Sequence, residues 1–121
     1  MTLDPALADE EFCYLITTGR YTGQPRTIEI WFAAHSDTIY LLAGGRADAH
    51  WVQNIQRDPA VTVRIGAVEF EGRAYIVAPG PENTRARRLL VEKYRPRYSG
   101  DLEDWRRTAL PVAIDLHPSS A

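Results

Sequence analysis

"TTGRYTGQPRTIEIWF", residues 17–32, decides how the rest of the chain is read. Gly19, Gly23 and Pro25 punctuate it, and after them Ile28, Ile30 and Phe32 alternate with Thr27, Glu29 and Trp31. A period of two is the mark of a strand. The preceding "EFCYLITTG", residues 11–19, places Phe12, Tyr14 and Ile16 at alternate positions and ends on Gly19. Two strands around "RYTGQP" predict an antiparallel hairpin. Its turn needs glycine and proline for their backbone angles. It does not need Arg20, Thr22, Gln24, Arg26 and Thr27. Backbone N–H donors, hydroxyls, an amide and two guanidinium forks in one turn suit a phosphate or a polycarboxylate. A solvated hairpin with surface arginines accounts for the same composition.

Working outward, "HSD" is a turn and "TIYLLA", residues 38–43, a third strand. The flexible "GGRA" leads into "DAHWVQNIQRDP", which reads as a helix. Asp48 is its N-cap, Trp51, Val52 and Ile55 form the apolar stripe, and Pro59 enforces the stop. "AVTVRIG" and "VEFEGRAYIVA" are two more strands. "PGPENTRARRLLVEKYRPRY" is a second helix with Pro81 in its first turn and Ala86, Leu89, Leu90 and Tyr94 on its apolar side. "DLEDWRR" is a short third helix. "ALPVAIDL" closes the chain as a strand with Leu110, Val112, Ile114 and Leu116 on one face. Six strands, mostly joined by hairpin-length turns, predict a mainly β (α+β), mostly antiparallel sheet curled into a barrel, with two or three short helices. With 121 residues the chain is read as one domain, 1–121.

Two further segments carry candidate chemistry. Gly44 and Gly45 let a backbone approach a flat ligand, and the helix after them turns its N-terminus toward that loop. Trp51 and Asn54, three apart, share a helix face. The bland alternative makes Trp51 core, Asn54 a tether and Gly-Gly a plain turn. Arg85, Arg88 and Arg95 either line a polyanion groove or form a solvated face with Glu82 and Glu92. Tyr94, Tyr98 and Trp105 form an aromatic group that suits a core, a dimer seam or a pocket wall.

Composition narrows the classes. The sequence is 45% hydrophobic and 25% charged, proportions of a soluble globular domain. Its net charge of -2 argues against a general nucleic-acid binder. Every one of its fourteen basic residues but Lys93 is arginine, a bias that suits bidentate anion recognition or simply reflects genome composition. No apolar run reaches membrane-spanning length and no signal-peptide pattern opens the chain, so a cytoplasmic protein is expected. Cys13, the lone cysteine, sits in an apolar run and reads as an inert buried thiol. His35, His50 and His117 lack partners at ligand spacing, which argues against a metal site. Ser36, Ser99, Ser119 and Ser120 lie in turn-like or terminal segments, which argues against a serine triad. There is no dinucleotide fingerprint and no P-loop.

Taken together, "LITTGRYTGQPRTIEIWF", then "YLLAGGRADAHWVQNIQRDPAVTVRIG", then a strand with "GRA", resembles the deazaflavin-dependent nitroreductase family. Its members are split β-barrels related to pyridoxamine-phosphate-oxidase-like flavin proteins. The similarity runs from about Phe12 to Val77 and continues more weakly through "LLVEKY" and "TALPVAIDL". The resemblance implies coenzyme F420 as cofactor, with FMN as the alternative, and hydride transfer to a quinone, enone or nitro-type acceptor. It implies that Arg20, Thr22, Gln24, Arg26 and Thr27 hold the cofactor's phosphate and oligoglutamate tail. Ile30 and Trp31 would lie beside its ring. Ala43, Gly44, Gly45 and Arg46 would form the loop that meets ring and phosphate, braced by Trp51 and Asn54. Tyr94 and Tyr98 would stand near the acceptor, with Tyr94 a candidate proton donor. Split barrels of this kind commonly pair, so a homodimer is expected. The sequence departs from the family pattern where relatives often carry a basic residue and this chain has Tyr21. Leu42 and Ala43 precede the Gly-Gly where polar residues are common, and His50 stands where proline is frequent. A non-catalytic carrier of F420 or flavin is the reading from a different functional class.

Overall fold

The hairpin expected around residues 17–32 forms. In the computed structural model, which describes residues 3–117, strand β1 (Cys13–Thr18) pairs antiparallel with β2 (Pro25–Ile30), in register from Cys13 opposite Ile30 to Thr18 opposite Pro25. The turn is closed by hydrogen bonds from the Gly19 N–H to the Gln24 carbonyl and from the Gly23 N–H to the Gly19 carbonyl, each 2.8 Å. Gly23 takes a φ of 72°, open to glycine at no steric cost.

Five more strands follow: β3 (Ala33–His35), β4 (Thr38–Ala43), β5 (Ala60–Ile65), β6 (Val68–Ile76) and β7 (Leu110–Leu116). All seven belong to one curled antiparallel sheet, a half-barrel in the order β2-β1-β5-β6-β7-β4-β3. The expected mainly β architecture therefore holds, with seven strands instead of six. The extra strand arises because the single run read over residues 26–34 bends at Trp31 and Phe32. Beyond the bend, the chain leaves β1 and pairs with β4. Within β6, Gly72 is required by a close approach. A Cβ there would lie 2.7 Å from the Ile114 Cγ2 of β7.

Among the described residues four helices decorate the sheet, where two or three were expected: α1 (Pro5–Ala8), α2 (His50–Arg57), α3 (Pro81–Tyr94) and α4 (Glu103–Thr108). The start expected at Asp48 moves to His50. Asp48 belongs instead to a tighter turn, Arg46–Asp48, and extended Ala49 precedes the helix. Its end is as expected, since Asp58 before Pro59 is extended.

Burial explains the placement of both larger helices. Leu15, Leu41, Val63, Val112 and Ile114 form the inner core with Val52 and Ile55 of α2. Tyr40, Leu42 and Ala113 face the other way and are covered by Ala86, Leu90 and Tyr94 of α3. β4 is thus apolar on both faces because both are packed. In β1 buried and half-buried positions alternate: the buried face is Cys13, Leu15 and Thr17, and Tyr14 and Ile16 of the alternating set read from the sequence lie on the half-buried face. Each set alternates, and tertiary packing alone separates them. Burial also pushes the Cys13 thiol up to about 12, so it stays protonated and inert. Among the described residues no helix is long and apolar enough to cross a membrane.

Candidate functional site: two clefts along one edge strand

β2 is an edge strand, and two clefts use successive stretches of it. The first, about 540 Å³, is lined by Arg26, Thr27 and Ile28 of β2, the hairpin turn, and His50, Trp51 and Asn54 of α2. The second, about 480 Å³, is lined by Glu29, Ile30, Trp31, Leu42, Tyr98 and Trp105, with Asp101 and Leu102 between the last two.

The first cleft is held by hydrogen bonds that converge on Asn54. This side chain is 4% exposed. Its amide donates to the Thr17 hydroxyl at 3.1 Å. Its oxygen accepts from the Arg20 backbone N–H at 3.2 Å and from Arg20 Nη1 at 2.9 Å. The same guanidinium donates to the His50 carbonyl at 3.3 Å and approaches His50 Nδ1 at 3.1 Å. Arg20 therefore staples the hairpin to α2 while lining the cleft. Arg26 is different. Its one side-chain hydrogen bond, at 3.5 Å, is to the Thr22 hydroxyl, and it forms no salt bridge among the described residues. Gly19 makes room for that arrangement, because a Cβ on it would stand 3.0 Å from the Thr22 hydroxyl and 3.1 Å from the Gln24 carbonyl. Two guanidinium groups, three threonine hydroxyls and no carboxylate line this cleft. That donor set fits phosphate and carboxylate groups.

The second cleft is held by stacked rings. Trp31 lies parallel to Tyr94 with centroids 4.2 Å apart, and meets Tyr98 and Trp105 edge-on at 5.7 and 5.8 Å. The bend that aims Trp31 is clamped by α3. The Tyr94 hydroxyl accepts from the Phe32 N–H at 3.0 Å and reaches the Glu11 carbonyl at 2.5 Å. Lys93 donates to the carbonyls of Phe32 and Ala8 at 2.9 and 3.0 Å. Partial burial pulls its ammonium down to about 8.

Several expectations meet a different placement. Tyr94, read as a proton donor, is fully buried, and burial raises its hydroxyl to about 12. It supports Trp31 from behind and does not face the cleft. Ala43 is core, 2% exposed, and Gly44, Gly45 and Arg46 line neither cleft. Arg46 instead donates to the Thr108 carbonyl at 3.1 Å, tying the loop to α4. Gln24 belongs to the turn without lining either cleft, and Arg85, Arg88 and Arg95 line neither. Thr17, Ile28 and His50 of the first cleft, and Glu29, Leu42, Asp101 and Leu102 of the second, were not singled out as site residues. For His50 a signal existed: it stands four residues before Asn54, on the same helix face. Ser119 and Ser120 lie outside the described residues.

A curled antiparallel half-barrel with two clefts along one edge strand is a split β-barrel fold. The match to a family model makes this specific. Residues 5–117 match F420H(2)-dependent quinone reductase, and the chain belongs to that family of F420-dependent oxidoreductases. It is 29% identical over 104 residues to the F420H(2)-dependent quinone reductase Rv1261c of Mycobacterium tuberculosis, a match covering 83% of this chain and 68% of that protein. Among solved structures, the fold is similar to the conserved hypothetical protein Rv2991 of Mycobacterium tuberculosis, with a TM-score of 0.72, 24% identity and coverage of 98% of this chain and 83% of that one. It is also similar to an F420-H2-dependent reductase, FDR-A, with a TM-score of 0.69, 22% identity and coverage of 88% and 94%.

Proposed function

We propose that the first cleft holds the anionic end of coenzyme F420 and the second cleft receives its ring together with a quinone, enone or nitro-type acceptor. The observation that supports this most is Arg26, a guanidinium without an acidic partner among the described residues, in a cleft that carries no carboxylate. When bound, reduced F420 supplies a hydride. Arg26, Thr22 and Thr27 bind the phosphate and tail carboxylates. Arg20 and Asn54 keep the hairpin at its distance from α2, so the donors stay aimed. Ile30 and Trp31 present an apolar strip that excludes water from the flat ring. Tyr98 and Trp105 complete the aromatic wall for the acceptor. A quinone then takes up the hydride and one proton, which solvent provides, and leaves as the hydroquinone. No side chain of the second cleft is needed as an acid, in keeping with a reaction whose chemistry resides in the cofactor. A homodimer fits the same reading, because β2 and β3 leave sheet edges unpaired in the chain described.

The test is a titration of the protein with F420 and FMN separately, followed by intrinsic tryptophan fluorescence. Expected are micromolar binding of F420, weaker binding of FMN, and loss of the F420H2 absorbance change when menadione is withheld. Tight FMN binding with no F420 binding would sink the cofactor placement. F420 binding without oxidation by any quinone or nitroaromatic would turn the protein into a carrier.

A further inference from the structure

The two clefts differ in charge, and the second carries a feature that its aromatic walls do not explain. Its lining includes two carboxylates, Glu29 and Asp101, and no cation. The Glu29 side chain forms no salt bridge among the described residues. Its cross-strand partner is Tyr14, and the nearest guanidinium along that row, Arg64, rests on the Tyr14 ring at 4.5 Å. Asp101 accepts one backbone N–H, from Glu103 at 2.9 Å. Of the nearby arginines, Arg97 pairs with Asp9, Arg106 with Glu103 and Arg107 with Asp104, while Arg95 lines neither cleft and its charge is felt at Glu103. The rest of the lining includes Ile30, Trp31, Leu42, Leu102 and Trp105, apolar side chains that offer no counterion. A wall of low dielectric beside two like charges concentrates their field in the cleft.

We propose that Glu29 and Asp101 make the second cleft selective by charge, admitting neutral or cationic electron acceptors and disfavouring acceptors that carry a sulfonate or carboxylate. The proposal rests on the acceptor reading above and goes beyond it, because it names the class of acceptor and the residues that choose it. Nothing in the aromatic wall distinguishes a neutral quinone from an anionic one of the same ring system. The carboxylates do so by repulsion, a device that sets specificity without adding an attractive contact.

The experiment compares 1,4-naphthoquinone with its 2-sulfonate in the wild type, Glu29→Gln, Asp101→Asn and the double variant. Asn at 101 retains an oxygen that accepts the Glu103 N–H, so α4 keeps its start. The readout is the ratio of kcat/KM for the two quinones with F420H2. Dividing each variant's ratio by that of the wild type removes the difference in intrinsic reactivity. The expected result is a shift toward the sulfonate of about two- to fivefold for each carboxylate neutralised, shrinking as salt is raised. A second arm measures the affinity of the same quinones for the protein without cofactor, by quenching of tryptophan fluorescence, and the same shift is expected there. Ratios unchanged in both arms overturn the proposal. If neither quinone oxidises F420H2, the acceptor reading fails, and the binding ratios still decide whether the carboxylates select by charge.

Discussion

Most of the first cleft comes from one hairpin closed by α2, whereas the second draws on β2, β4, α4 and the segment after α3. The walls differ as much as the sources do. In the first, a buried amide satisfies partners on two elements, so the geometry depends on directional bonds. In the second, rings pack face to face and edge to face, contacts that tolerate small displacements. On the proposed reading, the first cleft fixes one anionic group and the second accepts flat ones. Variants of the first cleft should weaken F420 and spare the acceptor, and variants of the acceptor wall formed by Tyr98 and Trp105 should do the reverse.

The largest separation is expected for Arg26→Ala. Loss of a charge-assisted contact should weaken F420 binding by about 1.5 to 3 kcal/mol, with the KM for menadione changed less than about twofold at saturating cofactor. Unchanged F420 affinity would show that Arg26 does not touch the cofactor. Asn54→Ala comes next. It strands the Thr17 hydroxyl and the Arg20 N–H, and urea unfolding should register a loss of about 1 to 3 kcal/mol. A neutral result would mean that the hairpin does not depend on α2 for its position. Trp105→Ala attacks the opposite cleft. The acceptor KM should rise by the equivalent of about 0.5 to 1.5 kcal/mol, while the F420 dissociation constant stays put. An equal loss of both affinities would abolish the division of labour between clefts.

Lys93 offers a comparison by pH. Its folded-state ammonium sits at about 8 against an ordinary 10.5. Below pH 8 both folded and unfolded chains carry the proton, and the penalty for burying the charge is present in full. Between those values the unfolded chain binds more protons, so stability rises with pH. The urea midpoint of the wild type should therefore gain on that of Lys93→Met as pH climbs through this window. Parallel midpoints would contradict a depressed ammonium. The effect is modest because the side chain is only half-buried and solvent screens it. Smallest of all is Tyr21→Lys. Tyr21 is 87% exposed at the rim of the first cleft. A charge there should tighten F420 about twofold at low salt, and a calorimetric titration that shows no gain would place the tail away from this corner.

The sequence was most legible where structure is local. The hairpin, α2 with its Pro59 stop, α3 from Pro81 and the inward face of β7 all follow from spacing and turn chemistry within one element. That Arg26, Thr22, Trp51 and Asn54 line one cleft was legible because hairpin and helix each advertise their own side chains. Information was missing wherever distant elements decide. The face of β1 is ambiguous because both of its alternating sets are largely apolar. Gly44 and Gly45 looked like a ligand loop, but the chain beyond them turns toward α4 through Arg46. Tyr94 looked available because nothing local announces that its hydroxyl meets a bend 62 residues earlier.

The clamp on that bend also sets an order of assembly. Lys93, Tyr94 and Arg97 reach back to Ala8, Glu11 and Asp9 across 85, 83 and 88 residues. Contacts of such span close the longest loops and reward the chain only after the intervening strands have formed. As the polypeptide leaves the ribosome, the Arg26 hairpin and α2 can meet before α3 has been made. Trp31 must wait for Tyr94, Tyr98 and Trp105, so the first cleft can form before the second.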